Sequence, residues 1–170
     1  MRSEVRARSA RTMAAAMLLA CGVAAFGGPG GALARTSDPS AKSFLQTIYE
    51  TYLVGTGEAK GISLDDPAAV RHYFSPGLAV LMLEDGAEAT RRGAQPALSE
   101  DPFVGRQEGQ IADLVIKVKN IGIKAVATVN FTSQGKRQTV ILELLKLGDD
   151  WRISDIQWES GSLRGLYRKR

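Results

Sequence analysis

The stretch KAVATVNFTSQGKRQTVILELLKLGDDWRISDIQW, residues 124–158, decides the fold. Ala125, Ala127, Val129 and Phe131 alternate with Lys124, Val126, Thr128 and Asn130, the two-residue period of a strand with one face in a core. Val140 to Leu147 is apolar on both faces apart from Glu143 and Lys146, as a central strand would be. Gln134-Gly135-Lys136 and Gly148-Asp149-Asp150 separate the runs, and connections this short join antiparallel neighbours. In the last run Trp151 and Ile153 fall on one face but Ile156 and Trp158 on the other. That switch predicts a bulge or a strong bend, and it leaves at most one of the two tryptophans to line a cavity.

Upstream, Leu114, Ile116 and Val118 alternate with Val115, Lys117 and Lys119, and Asn120-Ile121-Gly122 turns the chain into the next run. The sheet is therefore expected to be a four-stranded meander. Before it the period is helical. Ser40 is an N-cap for a helix carrying Phe44, Leu45, Ile48, Tyr49, Tyr52 and Leu53 on one face, ended by Gly55 and Gly57. Asp66-Pro67 opens a short helix through Val70, Tyr73 and Phe74, and Ser75-Pro76 repeats the start signal. The third helix turns Leu78, Leu81 and Met82 inward, then becomes polar through Glu84, Asp85, Glu88, Arg91 and Arg92 before Gly93 stops it. Residues 94–110, interrupted by Pro96 and Pro102, have no period; so long a loop is the leading candidate for function. Ser162 to Lys169 adds a last helical turn. The fold class is α+β, with N-terminal helices packed on a curved, cone-like, four-stranded antiparallel sheet.

The first 34 residues read as an export signal. Arg2, Arg6, Arg8 and Arg11 precede an apolar run from Met13 to Phe26, and Ala32-Leu33-Ala34 is a small-x-small cleavage site. The run is shorter than a bilayer span. The expected domains are thus a cleaved signal, 1–34, and a single α+β domain, 35–170, which is periplasmic or secreted. Leu18-Leu19-Ala20-Cys21 offers an alternative end to the signal, a lipobox that would anchor the chain through Cys21. Cleavage before Arg35 takes Lys plus Arg from 22 to 18 and Asp plus Glu from 18 to 17, so the charge falls from +4 to +1. The high pI belongs to the targeting segment and does not indicate nucleic-acid binding. The one cysteine leaves with the signal, which removes thiol nucleophiles, disulfides and thiolate metal sites from the mature chain. No transmembrane helix is expected in the mature chain.

Gly148-Asp149-Asp150-Trp151-Arg152-Ile153-Ser154-Asp155-Ile156 resembles the closing strand of nuclear transport factor 2-like cone folds. From about Ala41 to Tyr167 the chain is also similar to bacterial exported proteins grouped as the domain of unknown function 3828 family. Phe44 to Leu53, Ile62-Ser63-Leu64-Asp65, Arg71-His72-Tyr73-Phe74, Asp101-Pro102-Phe103, Gln107-Glu108 and Ile111-Ala112-Asp113-Leu114 carry the likeness, with the Trp151 strand. The resemblance implies a cone-like α+β fold and export, and no particular activity. Cone folds host enzymes, carriers and interaction modules alike, so the site has to be argued from its own residues.

In catalytic cone folds a carboxylate or histidine in the mouth serves as general base, which makes Asp101, Glu108 and His72 the weak catalytic candidates here. Each has a plainer reading: Asp101 as a turn residue before Pro102, Glu108 as a loop acid, His72 as a packing or surface residue. Tyr49, Tyr52, Tyr73, Phe103, Gln107 and Trp151 are the candidate ligand contacts. A lone histidine and scattered carboxylates form no zinc or calcium pattern, and no phosphate-binding loop or nucleophile elbow is present, so no metal or cofactor is expected. The leading expectation is an exported, non-catalytic module for a small apolar ligand or an envelope protein. The alternatives are a small periplasmic lyase or isomerase with a loop carboxylate as base, and a periplasmic inhibitor or immunity-type protein. The stripe Val126, Thr128, Asn130 is compatible with a homodimer.

Overall fold

The computed structural model describes residues 40–53, 55, 60–105 and 110–168. The chain divides into two compact units, Met1–Arg35 and Thr36–Arg170, and the described residues all belong to the second. The signal segment, Cys21, Gln107 and Glu108 lie outside the described residues. Three helices come first: α1 (Ala41–Glu50), α2 (Pro67–Tyr73) and α3 (Pro76–Arg92). Four long strands follow, β1 (Ile111–Ile121), β2 (Lys124–Ser133), β3 (Lys136–Leu147) and β4 (Asp150–Trp158). A two-residue β5 (Gly161–Ser162) and a short α4 (Leu163–Arg168) close the chain. The sheet order is β1-β2-β3-β4-β5, antiparallel throughout, so the class is α+β. It has five strands where four were expected, because a two-residue strand is too short to show any alternation.

The helix starts follow from their caps. The Ser40 hydroxyl accepts the Ser43 N–H, and the Asp66 carboxylate accepts the Ala68 N–H ahead of Pro67. Ser75 precedes Pro76 but makes no side-chain cap bond; its own N–H donates to the Ile153 carbonyl at 2.8 Å, tying the α2–α3 junction to β4. Helix α1 stops at Glu50, earlier than its apolar period suggests. Tyr52 and Leu53 lie beyond its end, and Leu53 forms a parallel bridge with Ile111.

Two bulges shape the sheet. In β1 the register shifts between Ala112 and Val115, where Asp113 takes φ 54°. In β4 Glu143 faces Asp155 while Leu144 faces Ile153, leaving Ser154 as the extra residue. This insertion corrects the sequence reading of the two tryptophans. Simple alternation places them on opposite faces, but one added residue returns Ile156 and Trp158 to the side of Trp151 and Ile153. Ile153 and Ile156 are fully buried, Trp151 is buried, and Trp158 packs against the same core. Keeping an Ile-sized side chain inside contributes about 1.5–3 kcal/mol, so the bulge is stabilising despite the ladder bond it interrupts.

The core lies between the helices and the inner sheet face. Leu45, Ile48 and Tyr49 of α1, Phe74 and Leu78 meet Ala127, Val129, Phe131, Leu142, Leu144 and Ile153 there. Among the described residues no helix is long and apolar enough to cross a membrane.

Candidate functional site

The segment from Ala94 to Gly105 is held at both ends. Near its start, the Ala97 N–H donates to the Asp85 carboxylate at 2.6 Å. Asp85 is buried on α3, so it does not belong to the solvated polar face that its neighbours Glu84 and Glu88 suggest. At the far end three consecutive residues are each pinned by one aromatic donor. Tyr52 Oη donates to Asp101 Oδ2 at 2.7 Å, Trp158 Nε1 to the Pro102 carbonyl at 2.9 Å, and Tyr49 Oη to the Phe103 carbonyl at 3.0 Å.

Asp101 organises the turn itself. Its Oδ1 accepts the Phe103 N–H at 2.8 Å, the Val104 N–H also reaches the carboxylate, and its main-chain carbonyl accepts the Gly105 N–H at 2.7 Å. Burial pushes the carboxyl pKa above its ordinary value, and the bonds from Tyr52, Phe103 and Val104 pull in the other direction without cancelling it. Burial raises both Tyr49 and Tyr52 far above the usual phenol value, and the nearby Asp101 charge adds to that. Both shifts favour the phenols as neutral donors.

The aromatic residues fill space. Phe103 is fully buried, stacks on Phe74 at 5.9 Å between centroids, and meets Tyr49, Tyr52 and Tyr73 at 6.2 to 6.5 Å. Tyr73 is half-buried and touches the exposed His72 ring edge-on. His72 is thus on the surface of α2, against Tyr73. Of the residues singled out from the sequence, Tyr49, Tyr52 and Phe103 come together around Asp101, and Trp151 lies in the core. Among the described residues no cluster of His, Cys, Asp or Glu could hold a metal ion.

The open space lies on the other side of the pinned turn. A cleft of about 840 Å³ is bounded by residues 97–101, 104 and 105, the first half of β3, the 157–162 turn and Leu166. Asp101 borders it; Tyr49, Tyr52, Tyr73, Phe103 and Trp151 do not. Trp158 does, with one ring edge bonded to Pro102. Sequence reasoning missed this wall: Arg137, Gln138 and Thr139 fall between the Gln134-Gly135-Lys136 turn and the Val140–Leu147 run, and nothing in their pattern marks a cleft.

The cleft exists because β4 leaves β3. The β3–β4 ladder runs from Leu147 opposite Asp150 to Ile141 opposite Gln157 and ends there. Beyond it the chain turns at Glu159 and Ser160 and pairs with itself, Gln157 opposite Ser162 and Trp158 opposite Gly161. Residues 137–139 of β3 keep β2 on one side and face the cleft on the other.

No protein-family model matches the chain, and no curated protein matches it. Among solved structures it is similar to a chain of the type VI native effector-immunity complex Tae3-Tai3 from Ralstonia pickettii. The identity is 19%, over 71% of this chain and 96% of that chain, with a TM-score of 0.49. A likeness at that level transfers neither activity nor partner.

Proposed function

We propose that this chain is an exported, non-catalytic binding module that engages another protein through the cleft beside β3. One observation carries the reading: the space between helices and sheet is filled by Tyr49, Tyr52, Phe74 and Phe103, while the open cleft lies outside that core and is bordered by a strand edge that no described residue pairs. A small apolar ligand would need an enclosed apolar pocket. Here the cleft is open, and beside Leu98, Val104 and Trp158 its walls carry Glu100, Asp101, Arg137, Gln138 and Glu159, a mixed composition suited to a polypeptide surface. The reading of the first 34 residues supports export, and the two bulges are compatible with a cone-like curve of the sheet.

The lyase or isomerase alternative draws on Asp101, a carboxyl of raised pKa at the cleft wall. Yet three protein donors already occupy its oxygens, which is the geometry of a turn cap rather than of a base awaiting substrate. A photoreactive side chain placed at Ser160 in the cleft tests the binding reading in the exporting cell. A protein crosslinked from Ser160 and not from the exposed Val80 of α3 supports it. Equal labelling from both positions, or none from Ser160, overturns it.

A further inference from the structure

We infer that the free edge of β3 at residues 137–139 receives an extended, basic segment of the partner protein as an added antiparallel strand, in line with β4. The inference deepens the binding reading above and rests on it.

The edge has a definite polarity that follows from its hairpin. Ser133 faces Lys136 across Gln134 and Gly135, whose φ values of 49° and 72° are those of a two-residue type I′ turn. In such a hairpin the pair flanking the turn is hydrogen-bonded, and bonded and non-bonded pairs then alternate. Lys136, Gln138 and Val140 therefore direct their N–H and C=O groups to β2. Arg137 and Thr139 direct theirs to the cleft. The Thr139 hydroxyl donates to Asn130 Oδ1 at 2.8 Å, the close side-chain approach expected of a non-bonded pair. Ile141, next in the outward series, is where the β4 ladder begins. A strand in the cleft would thus continue a ladder that β4 has already started.

The other edges are protected. β1 carries the Asp113 bulge, with Asp113 accepting from the Thr132 hydroxyl, and its middle bears Lys117 and Lys119. β5 has two residues. The stretch 137–139 has neither a bulge nor a covering element among the described residues, and about 840 Å³ of open space beside it. Charge then selects the occupant. Glu100 and Glu159 are exposed on the cleft walls, and no ion pair joins them to any described residue. Arg137 is the cation among the described lining residues. Lysine or arginine side chains alternating along an incoming strand would meet those carboxylates, while main-chain bonds to Arg137 and Thr139 supply the pairing common to strand addition.

A tethered strand tests this without knowledge of the partner. The heptapeptide Lys-Val-Lys-Val-Lys-Val-Lys is fused after Arg170 of the full chain through a flexible Gly-Ser linker of about 15 residues, which holds it at millimolar effective concentration. Leu166, four residues before the fusion point, borders the cleft. Amide hydrogen exchange is read by NMR at 137–140, with Trp158 fluorescence as a second signal. The expected result is a slowing of at least about tenfold at Arg137 and Thr139, little change at Gln138 and Val140, and loss of the effect when the lysines become glutamates. Unchanged exchange at Arg137 and Thr139 overturns the strand, and equal protection by both fusions overturns its basic character. If Arg137 and Thr139 are not protected while Trp158 shifts, or while Ser160 of the unfused chain crosslinks a partner, the strand falls and the binding cleft survives.

Discussion

The Tyr52 phenol links three parts of the chain through one oxygen. It donates to Asp101 Oδ2 at 2.7 Å and accepts the Ile62 N–H at 3.0 Å, just past the end of α1. Removing that oxygen should be costly on both sides. Tyr52→Phe leaves a part-buried N–H without an acceptor and a part-buried carboxylate with one donor fewer, a loss of about 1–3 kcal/mol. Tyr49→Phe frees one carbonyl, that of Phe103, and should cost about 1 kcal/mol. Urea unfolding of both variants checks the order, and a Tyr52→Phe midpoint equal to wild type would show that the phenol does not hold the turn.

The raised Asp101 carboxyl makes a signed contribution to stability. The folded chain binds this proton more tightly than the unfolded chain, so the stabilisation is fully present below the unfolded pKa and is lost as pH rises through the higher folded value. Asp101→Asn removes that dependence while keeping the shape. Between about pH 4 and 7 the difference in unfolding free energy, wild type minus variant, should shrink as pH rises. A difference that grows with pH would mean that the hydrogen bonds outweigh burial and that the carboxylate is favoured in the fold.

Much of this architecture can be read from the residues, and the failures have physical causes. Ser40, Asp66 and Gly93 mark helix ends because capping is local chemistry. The end of α1 is not legible, since Tyr52 and Leu53 prolong an apolar period while their backbone has already left the helix. Asp85 looks solvated until the Ala97 N–H, twelve residues on, gives it an internal role. Asp101-Pro102 announces a turn, but the partner that buries its carboxylate lies 49 residues away in Tyr52. The cleft is legible least of all, because it is made by a strand departing and not by any residue type.

Gly61 sets how closely the chain can pass Tyr52. Its φ of 65° lies in the left-handed region, and a Cβ there would stand 2.4 Å from Tyr52 Cε1. Gly61→Ala therefore adds a clash with the buried Tyr52 ring to backbone strain of about 1–3 kcal/mol. The variant should be less stable than wild type by more than Gly55→Ala, where the φ is also positive but no atom lies within 4 Å of the added carbon. Comparable losses at both sites would assign the effect to strain alone.

Ser154 offers the sharpest test of how the two tryptophans share a face. Ile153 and Ile156 stand three residues apart, and the extra residue lets both face inward. Deleting Ser154 leaves them two apart, so a regular strand keeps Trp151, Ile153, Ile156 and Trp158 on one face without any bulge. The deletion removes the Ser154 carbonyl that accepts from Arg164 Nε at 2.6 Å and displaces Asp155, whose Oδ1 accepts the Arg164 N–H at 2.9 Å, so α4 loses its hold on β4. The variant should therefore lose about 1–3 kcal/mol while its tryptophan emission stays in place, whereas Ser154→Ala, which keeps both the extra residue and its carbonyl, should leave stability nearly unchanged. A red-shifted emission in the deletion variant would show that a tryptophan has left the core face and that the bulge itself is needed to seat it.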